Sequence, residues 1–338
     1  MTEQTRIPLP GEKRSLFERA EDVFGDGQFQ SAPVPARLSD SAMPKSARKT
    51  VRKALLVEET VEHDQDETSP APIVAAPVDA APVIRAPIAE ARVEFSGPRV
   101  ALDRASLRAH GLIQPGAPVT ALLEEFRLVK RQVLLDARDA RALGPKAPRV
   151  LVCSPLPGEG KTFCAVNLAL AIAAERDSEV VLVDADFAKP SIPAVLGFKA
   201  GAGLMDVLKD PALKVEECVL ATDVPGLFVL PAGNPSAHDS EFLASGRTAE
   251  VLARLTQGAP NRVVIFDSPP ALAASPASEL AGHVGQALVI CRADQTGQSA
   301  LEDALSLLAA CPDIKLLLNA ANFSPSGRRF GSYYGQGE

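Results

Sequence analysis

Tryptophan is absent from this chain, and tyrosine occurs only as the adjacent pair Tyr333 and Tyr334. With 46% apolar but only 4% aromatic residues, the core must be built from small and branched aliphatic side chains. The two tyrosines do not belong to such a core, because glycines and a chain end surround them. Cysteine is sparse as well: Cys153, Cys164, Cys218, Cys291 and Cys311 lie far apart, and no pair has metal-ligand spacing. They read as buried small residues of a reducing cytosol. A basic excess is also missing. With 35 Lys and Arg against 42 Asp and Glu, the net charge of −7 argues against wholesale nucleic-acid binding, which usually goes with a basic stripe, and leaves room for a local basic patch. No uninterrupted apolar run reaches about 18 residues. The opening MTEQTRIPLPGEKR has no apolar signal core. The chain is therefore expected to be cytoplasmic and not to cross a membrane by itself.

Proline is plentiful in one place. From Ser31 to Pro98 the sequence is rich in Ala, Pro and Val and carries nine prolines, which deny it a helix or a central strand. The expectation is a disordered Ala/Pro-rich region over 1–98, with one short amphipathic helix near 12–24 that gathers Leu16, Phe17, Ala20 and Phe24. Inside it a basic run (Lys45, Arg48, Lys49, Arg52, Lys53) precedes an acidic one (Glu58, Glu59, Glu62, Asp64, Asp66, Glu67). These blocks read as solvated, mutually neutralising charge in a tether, with contact to an anionic membrane surface or partner as the other reading. A folded domain is expected over 99–322 and a flexible tail over 323–338.

That domain is organised around Val150–Thr162, an apolar run that breaks into Ser154-Pro155-Leu156-Pro157-Gly158-Glu159-Gly160-Lys161-Thr162 and reopens as a helix near Phe163. Gly158 and Gly160 let the backbone turn its N–H groups onto a phosphate. Lys161 adds a mobile positive charge, and the Thr162 hydroxyl is placed to ligate Mg²⁺. This is a phosphate-binding loop, with Pro155 where the usual pattern has its first glycine. Further apolar runs follow at Glu179–Asp186, Gly226–Gly233, Arg262–Asp267, Gln286–Arg292 and Ile314–Asn319, most separated by helix-forming stretches. Runs without alternation are buried on both faces, which predicts an α/β fold with a doubly wound, mainly parallel sheet. Ligands of such sheets bind at the carboxyl ends of the strands. The loop, the pair Asp184 and Asp186, and Asp267 all fall at predicted strand ends. One phosphate cradle and three acids on one edge point to Mg²⁺-nucleotide binding. Upstream, Thr120 to Leu135 reads as a helix with an apolar face of Leu122, Phe126, Val129 and Val133, and with Glu124, Arg127 and Lys130 together on its charged surface.

SPLPGEGKT at 154–162, VVLVDADFAKPSIP at 180–193, LPAGNP at 230–235, VVIFDSPP at 263–270 and EEFRLVKR at 124–131 together resemble the bacterial tyrosine autokinases of exopolysaccharide and capsule export, especially the type found at exosortase loci. The resemblance spans about 120 to 338. It implies a P-loop NTPase fold like that of MinD and ParA proteins, using ATP and Mg²⁺. The segment Pro157, Gly158, Glu159, Gly160, Lys161, Thr162 and Phe163 would hold the nucleotide phosphates, and Asn319 the adenine. Lys161, Asp184 and Asp186 would be catalytic, with Asp184 deprotonating the tyrosine. Thr162, Asp184, Asp186 and Asp267 would surround the metal. Tyr333 and Tyr334 would be the phosphorylated residues. Glu124, Arg127 and Lys130 align with a Glu-Arg-Arg motif of ring assembly, Lys130 standing for the last Arg; Ala188 replaces a frequent Arg. The implied partners are further copies of the chain in a ring, a membrane polysaccharide co-polymerase that sets chain length and holds the kinase at the inner membrane face, and a tyrosine phosphatase.

Two other functions share these motifs. A switch ATPase of the partitioning or septum-positioning class carries a signature lysine early in the P-loop, where this chain has Leu156. A nucleotide-binding scaffold without transfer activity needs only the cradle.

Overall fold

A computed structural model of the chain describes residues 91–236 and 238–321. The helix expected near 12–24, the two charge blocks and the tyrosine tail lie outside the described residues. Eight strands form one sheet: β1 (Arg99–Val100), β2 (Arg149–Cys153), β3 (Glu179–Asp184), β4 (Leu220–Thr222), β5 (Leu227–Leu230), β6 (Arg262–Asp267), β7 (Gln286–Arg292) and β8 (Ile314–Asn319). Their order is β1-β4-β5-β3-β6-β2-β7-β8, and β4 against β5 is the antiparallel pair. The helices are α1 (Arg104–Ala109), α2 (Ala121–Asp139), α3 (Lys161–Ala173), α4 (Ile192–Leu196), α5 (Leu204–Lys209), α6 (Val215–Cys218), α7 (Asp239–Leu243), α8 (Gly246–Thr256), α9 (Pro276–Ala281) and α10 (Gln298–Leu307). Among the described residues no helix is long and apolar enough to cross a membrane.

The central strands follow from their composition. Along β2, β3, β6 and β7 the side chains alternate between two cores: Leu151, Val181, Val183, Val264, Phe266 and Val289 face one helix layer, and Val150, Val152, Leu182, Ile265, Leu288 and Ile290 face the other. Both sides are covered, so polar residues have no place in the pattern. Each buried Val, Leu or Ile contributes about 1.5–3 kcal/mol relative to exposure. All five cysteines are free and buried, as their spacing suggested.

The doubly wound sheet and the long strands stand where the apolar runs placed them, with four differences. β3 ends at Asp184, so Asp186 lies in the following loop. β8 is an edge strand, with Leu316 and Leu318 exposed, because no helix among the described residues covers its outer end. The short strands β1 and β4 gave no apolar run long enough to notice. Residues 91–98, counted with the linker above, pack on the domain: Val93 is buried, and the Arg262 guanidinium stacks 4.2 Å over the Phe95 ring while pairing with Glu179 at 2.9 Å.

The α2 helix is capped as expected, the Thr120 hydroxyl accepting from the Leu123 N–H at 3.2 Å. Its apolar face meets α3, where Phe126 packs edge-on against Phe163. Glu124 and Arg127 pair on the surface. Lys130 does not join them. It is 8% exposed and turns its Nζ to Glu175, at 2.7 Å, because its aliphatic stem lies over α3.

Candidate nucleotide and metal site

The phosphate loop leaves β2 between β6 and β7 and runs into α3. Gly158 and Gly160 have φ of +82° and +94°, left-handed values that a side chain makes costly. Gly160 is also the N-cap of α3, so the helix begins at Lys161, two residues before the expected Phe163. No side chain caps it. The first N–H groups of α3 therefore point into the loop without intrahelical partners, at the positive end of the helix dipole. At Pro155 the chain is held by other means: the Leu272 N–H donates to its carbonyl at 3.3 Å, and the Ala271 N–H to that of Ser154 at 2.8 Å.

The acids gather as the strand-end rule requires. Asp184 and Asp267 are paired in register on β3 and β6. Asp184 accepts from the Ser191 and Ile192 N–H groups at 2.9 and 3.0 Å through one oxygen, and its other oxygen has no partner. Burial raises its carboxyl to about 6, against those two hydrogen bonds. Asp267 is fully buried and neither of its oxygens is hydrogen-bonded. Burial pushes it to about 7, with Lys161 and the adjacent Thr162 hydroxyl pulling the other way, although Thr162 forms no bond of ordinary geometry to it. Asp186 is ion-paired to Lys161 at 2.9 Å, both side chains largely buried.

Three buried carboxylate oxygens without donors beside a lysine and a threonine hydroxyl are a donor set for a hard cation such as Mg²⁺, which favours one or two carboxylates plus substrate oxygens. Among the described residues no cluster of three His, Cys, Asp or Glu side chains converges closely enough to hold a metal alone. The fit is therefore to a metal that arrives with phosphate oxygens.

Asn319 ends β8 beside the loop. Its Nδ2 donates to the Glu159 carbonyl at 2.8 Å, its Oδ1 accepts from the Ala320 N–H at 2.8 Å, and it lies where a Cβ on Gly160 would fall. The Glu159 side chain, 4% exposed, turns away from the cradle. Two residues escaped the sequence reading. Arg292 donates to the Gly158 carbonyl at 3.1 Å, and the Thr296 hydroxyl bonds Glu159. The signal was present, since Arg292 closes the predicted strand Gln286–Arg292 on the same sheet edge. A cavity of about 970 Å³ lies elsewhere, lined by Arg138, Pro148, Arg176, Gln257 and Asn261 near the amino ends of β2, β3 and β6. It contains none of the groups just described.

A family model described as ParA, NUBPL iron-transfer P-loop NTPase, matches residues 147–220. The tyrosine-protein kinase YwqD of Bacillus subtilis is 27% identical over 209 residues, 62% of this chain and 84% of that one. The tyrosine-protein kinase ptk of Acinetobacter johnsonii is 31% identical over 153 residues, 45% of this chain. The match takes in only 20% of that kinase's own length. The kinase domain of Escherichia coli tyrosine kinase ETK has the same fold, with a TM-score of 0.50 and 19% identity over 68% of this chain and 93% of that domain. The chimerical protein CapA2B2 does so too, with a TM-score of 0.52 and 21% identity over 68% of this chain and 94% of its own.

Proposed function

From its place among P-loop NTPases whose sequence relatives are bacterial tyrosine-protein kinases, we propose that this chain is an ATP-dependent protein-tyrosine autokinase. The observation that carries the reading is the junction of a helix N-terminus that no side chain caps, the Lys161–Asp186 pair and the unpartnered oxygens of Asp184 and Asp267 on one sheet edge. Its substrate is Tyr333 and Tyr334. The chain offers no other phenol, and Ala321, the last residue described before the tail, follows Asn319 at the rim of the phosphate loop.

Phosphoryl transfer asks a protein chiefly for positioning and charge neutralisation. The α3 N–H groups and Lys161 hold the phosphates, and Asp186 keeps the Lys161 ammonium in the cradle. Thr162, Asp184 and Asp267 would hold Mg²⁺, which when bound neutralises charge on the phosphate oxygens. Asp184, raised to about 6, is a suitable acceptor for a phenolic proton near neutrality. Glu124 and Arg127 serve contacts between copies in a ring, so that one copy's tail reaches another's site. A membrane polysaccharide co-polymerase at the inner membrane face is the partner, export of an exopolysaccharide the process it governs, and a tyrosine phosphatase the reset.

Incubating the purified chain with Mg-ATP and mapping phosphotyrosine by mass spectrometry tests this. Label at Tyr333 or Tyr334 supports the kinase. Phosphate release without label supports a switch ATPase, which the ParA-type model also fits. Nucleotide bound but unchanged leaves a scaffold.

A further inference from the structure

A loop that turns its N–H groups inward on a phosphate must turn its carbonyls outward, and those carbonyls need donors. The Ser154 and Pro155 carbonyls find theirs in the segment after β6, and those at the tip of the loop find theirs at the ends of β7 and β8. The Gly158 carbonyl accepts from Arg292 Nη1 at 3.1 Å, and the Glu159 carbonyl from Asn319 Nδ2 at 2.8 Å. The Glu159 side chain continues the same connection: one carboxylate oxygen takes the Leu156 N–H at 2.7 Å, across the loop, and the other takes the Thr296 hydroxyl. Thr296 Oγ1 in turn accepts the Arg292 N–H at 2.8 Å. The two turns that present these donors each contain a non-glycine residue in the left-handed region, Asp294 at φ 62° and Ala320 at φ 54°. Such backbone persists only where surrounding contacts hold it.

We propose that Arg292, Thr296 and Asn319 form a latch, closed on the buried Glu159 carboxylate, that sets the shape of the phosphate loop, with Arg292 and Thr296 as positioning residues for nucleotide binding. The proposal rests on the nucleotide reading of the site. It gives Glu159 a role different from the phosphate contact that its place in the motif implies. Its side chain cannot face the phosphates while it spans Leu156 and Thr296, and a carboxylate there would repel them. The latch grips Gly158 and Glu159, residues that frame the portion of the cradle used by both ATP and ADP. It should therefore not distinguish the two nucleotides.

The test is binding of Mg-ATP and Mg-ADP to the full chain, by titration calorimetry, for Thr296→Val, Thr296→Ser and Arg292→Leu. In Thr296→Val the Glu159 carboxylate loses a donor and the Arg292 N–H its acceptor, and affinity for both nucleotides is expected to fall roughly tenfold by a common factor. Thr296→Ser keeps the hydroxyl and should bind like wild type. Arg292→Leu changes a partly exposed side chain and should show the same parallel loss, which covers the case of a misfolded Thr296→Val. Without nucleotide, the melting temperature should stay close to wild type for Arg292→Leu. Affinities within twofold of wild type in both Thr296→Val and Arg292→Leu overturn the latch, as does a loss confined to ATP or a Thr296→Ser chain as weak as Thr296→Val. A wild-type chain that binds neither nucleotide overturns the reading of the site itself, and the latch with it.

Discussion

Asp184 and Asp267 stand opposite each other on adjacent parallel strands, yet only Asp184 is hydrogen-bonded to the protein. Burial holds the Asp267 carboxyl near 7, raised from 3.8. Below the lower value the folded and unfolded chains are both protonated, and no stability is lost. As pH rises, the unfolded chain ionises first, so the folded state loses stability progressively up to about 7, where the full cost is in place. Without metal or nucleotide, Asp267→Asn should therefore be more stable than wild type near pH 8, by a few kcal/mol at most, with the advantage fading towards about pH 4. Mg-ATP should stabilise wild type and not the variant. Calorimetric melts over that pH range decide it, and a pH-independent difference would contradict the burial argument.

Lys161→Ala and Asp184→Asn should each lower tail phosphorylation by about a hundredfold or more, because they remove charge placed for the transferred group. Circular dichroism should show both still folded, since neither side chain fills an apolar contact. Undiminished phosphotyrosine in either variant means that the site is misassigned.

Transfer should run between copies. The twelve steps from Ala321 to Tyr333 span at most about 40 Å when extended, enough to reach their own site, but doing so in line requires the tail to reverse beside the loop it leaves. Mixing Lys161→Met, which keeps its tail, with an active chain carrying Tyr333→Phe and Tyr334→Phe separates the routes. Label on the Lys161→Met chain is the expected result. Its absence, under conditions where wild type labels well, leaves only the intramolecular route.

The two cations of α2 should behave differently. Lys130→Ala removes the packing of a largely buried side chain on α3 and its ion pair with the exposed Glu175, costing about 1 kcal/mol of stability. Arg127→Glu, on the surface, should leave the melting temperature near wild type and shift the sedimentation profile towards monomer. Equal loss of assembly in both variants would return Lys130 to the interface.

The phosphate loop, the acids and the central strands were legible because each is set by local chemistry. Glycine alone adopts the φ of Gly158 and Gly160 without cost, and strands covered on both faces are continuously apolar. Lys130 was misplaced for a geometric reason. Steps of three and four around α2 put it beside Arg127 on a helix considered alone, and only the partner helix α3 reveals that this side of the stripe is covered. Arg292 reaches the Gly158 carbonyl and Thr296 the Glu159 carboxylate, 134 and 137 positions away in sequence; the predicted strand end puts Arg292 on the right sheet edge, but no local pattern encodes either contact. The edge position of β8 depends on strand order, and strand order is a property of the assembled sheet.

The clasp of Arg262 on Phe95 and Glu179 fixes where the described chain enters. Glu179 and Arg262 are the first residues of β3 and β6, so Arg92 and Val93 sit at the amino ends of the strands, while Asn319 leaves at the carboxyl ends. Six residues of β3 put about 20 Å between these poles. The described chain is thus anchored by the Arg262 clasp at the end of the sheet opposite the phosphate loop.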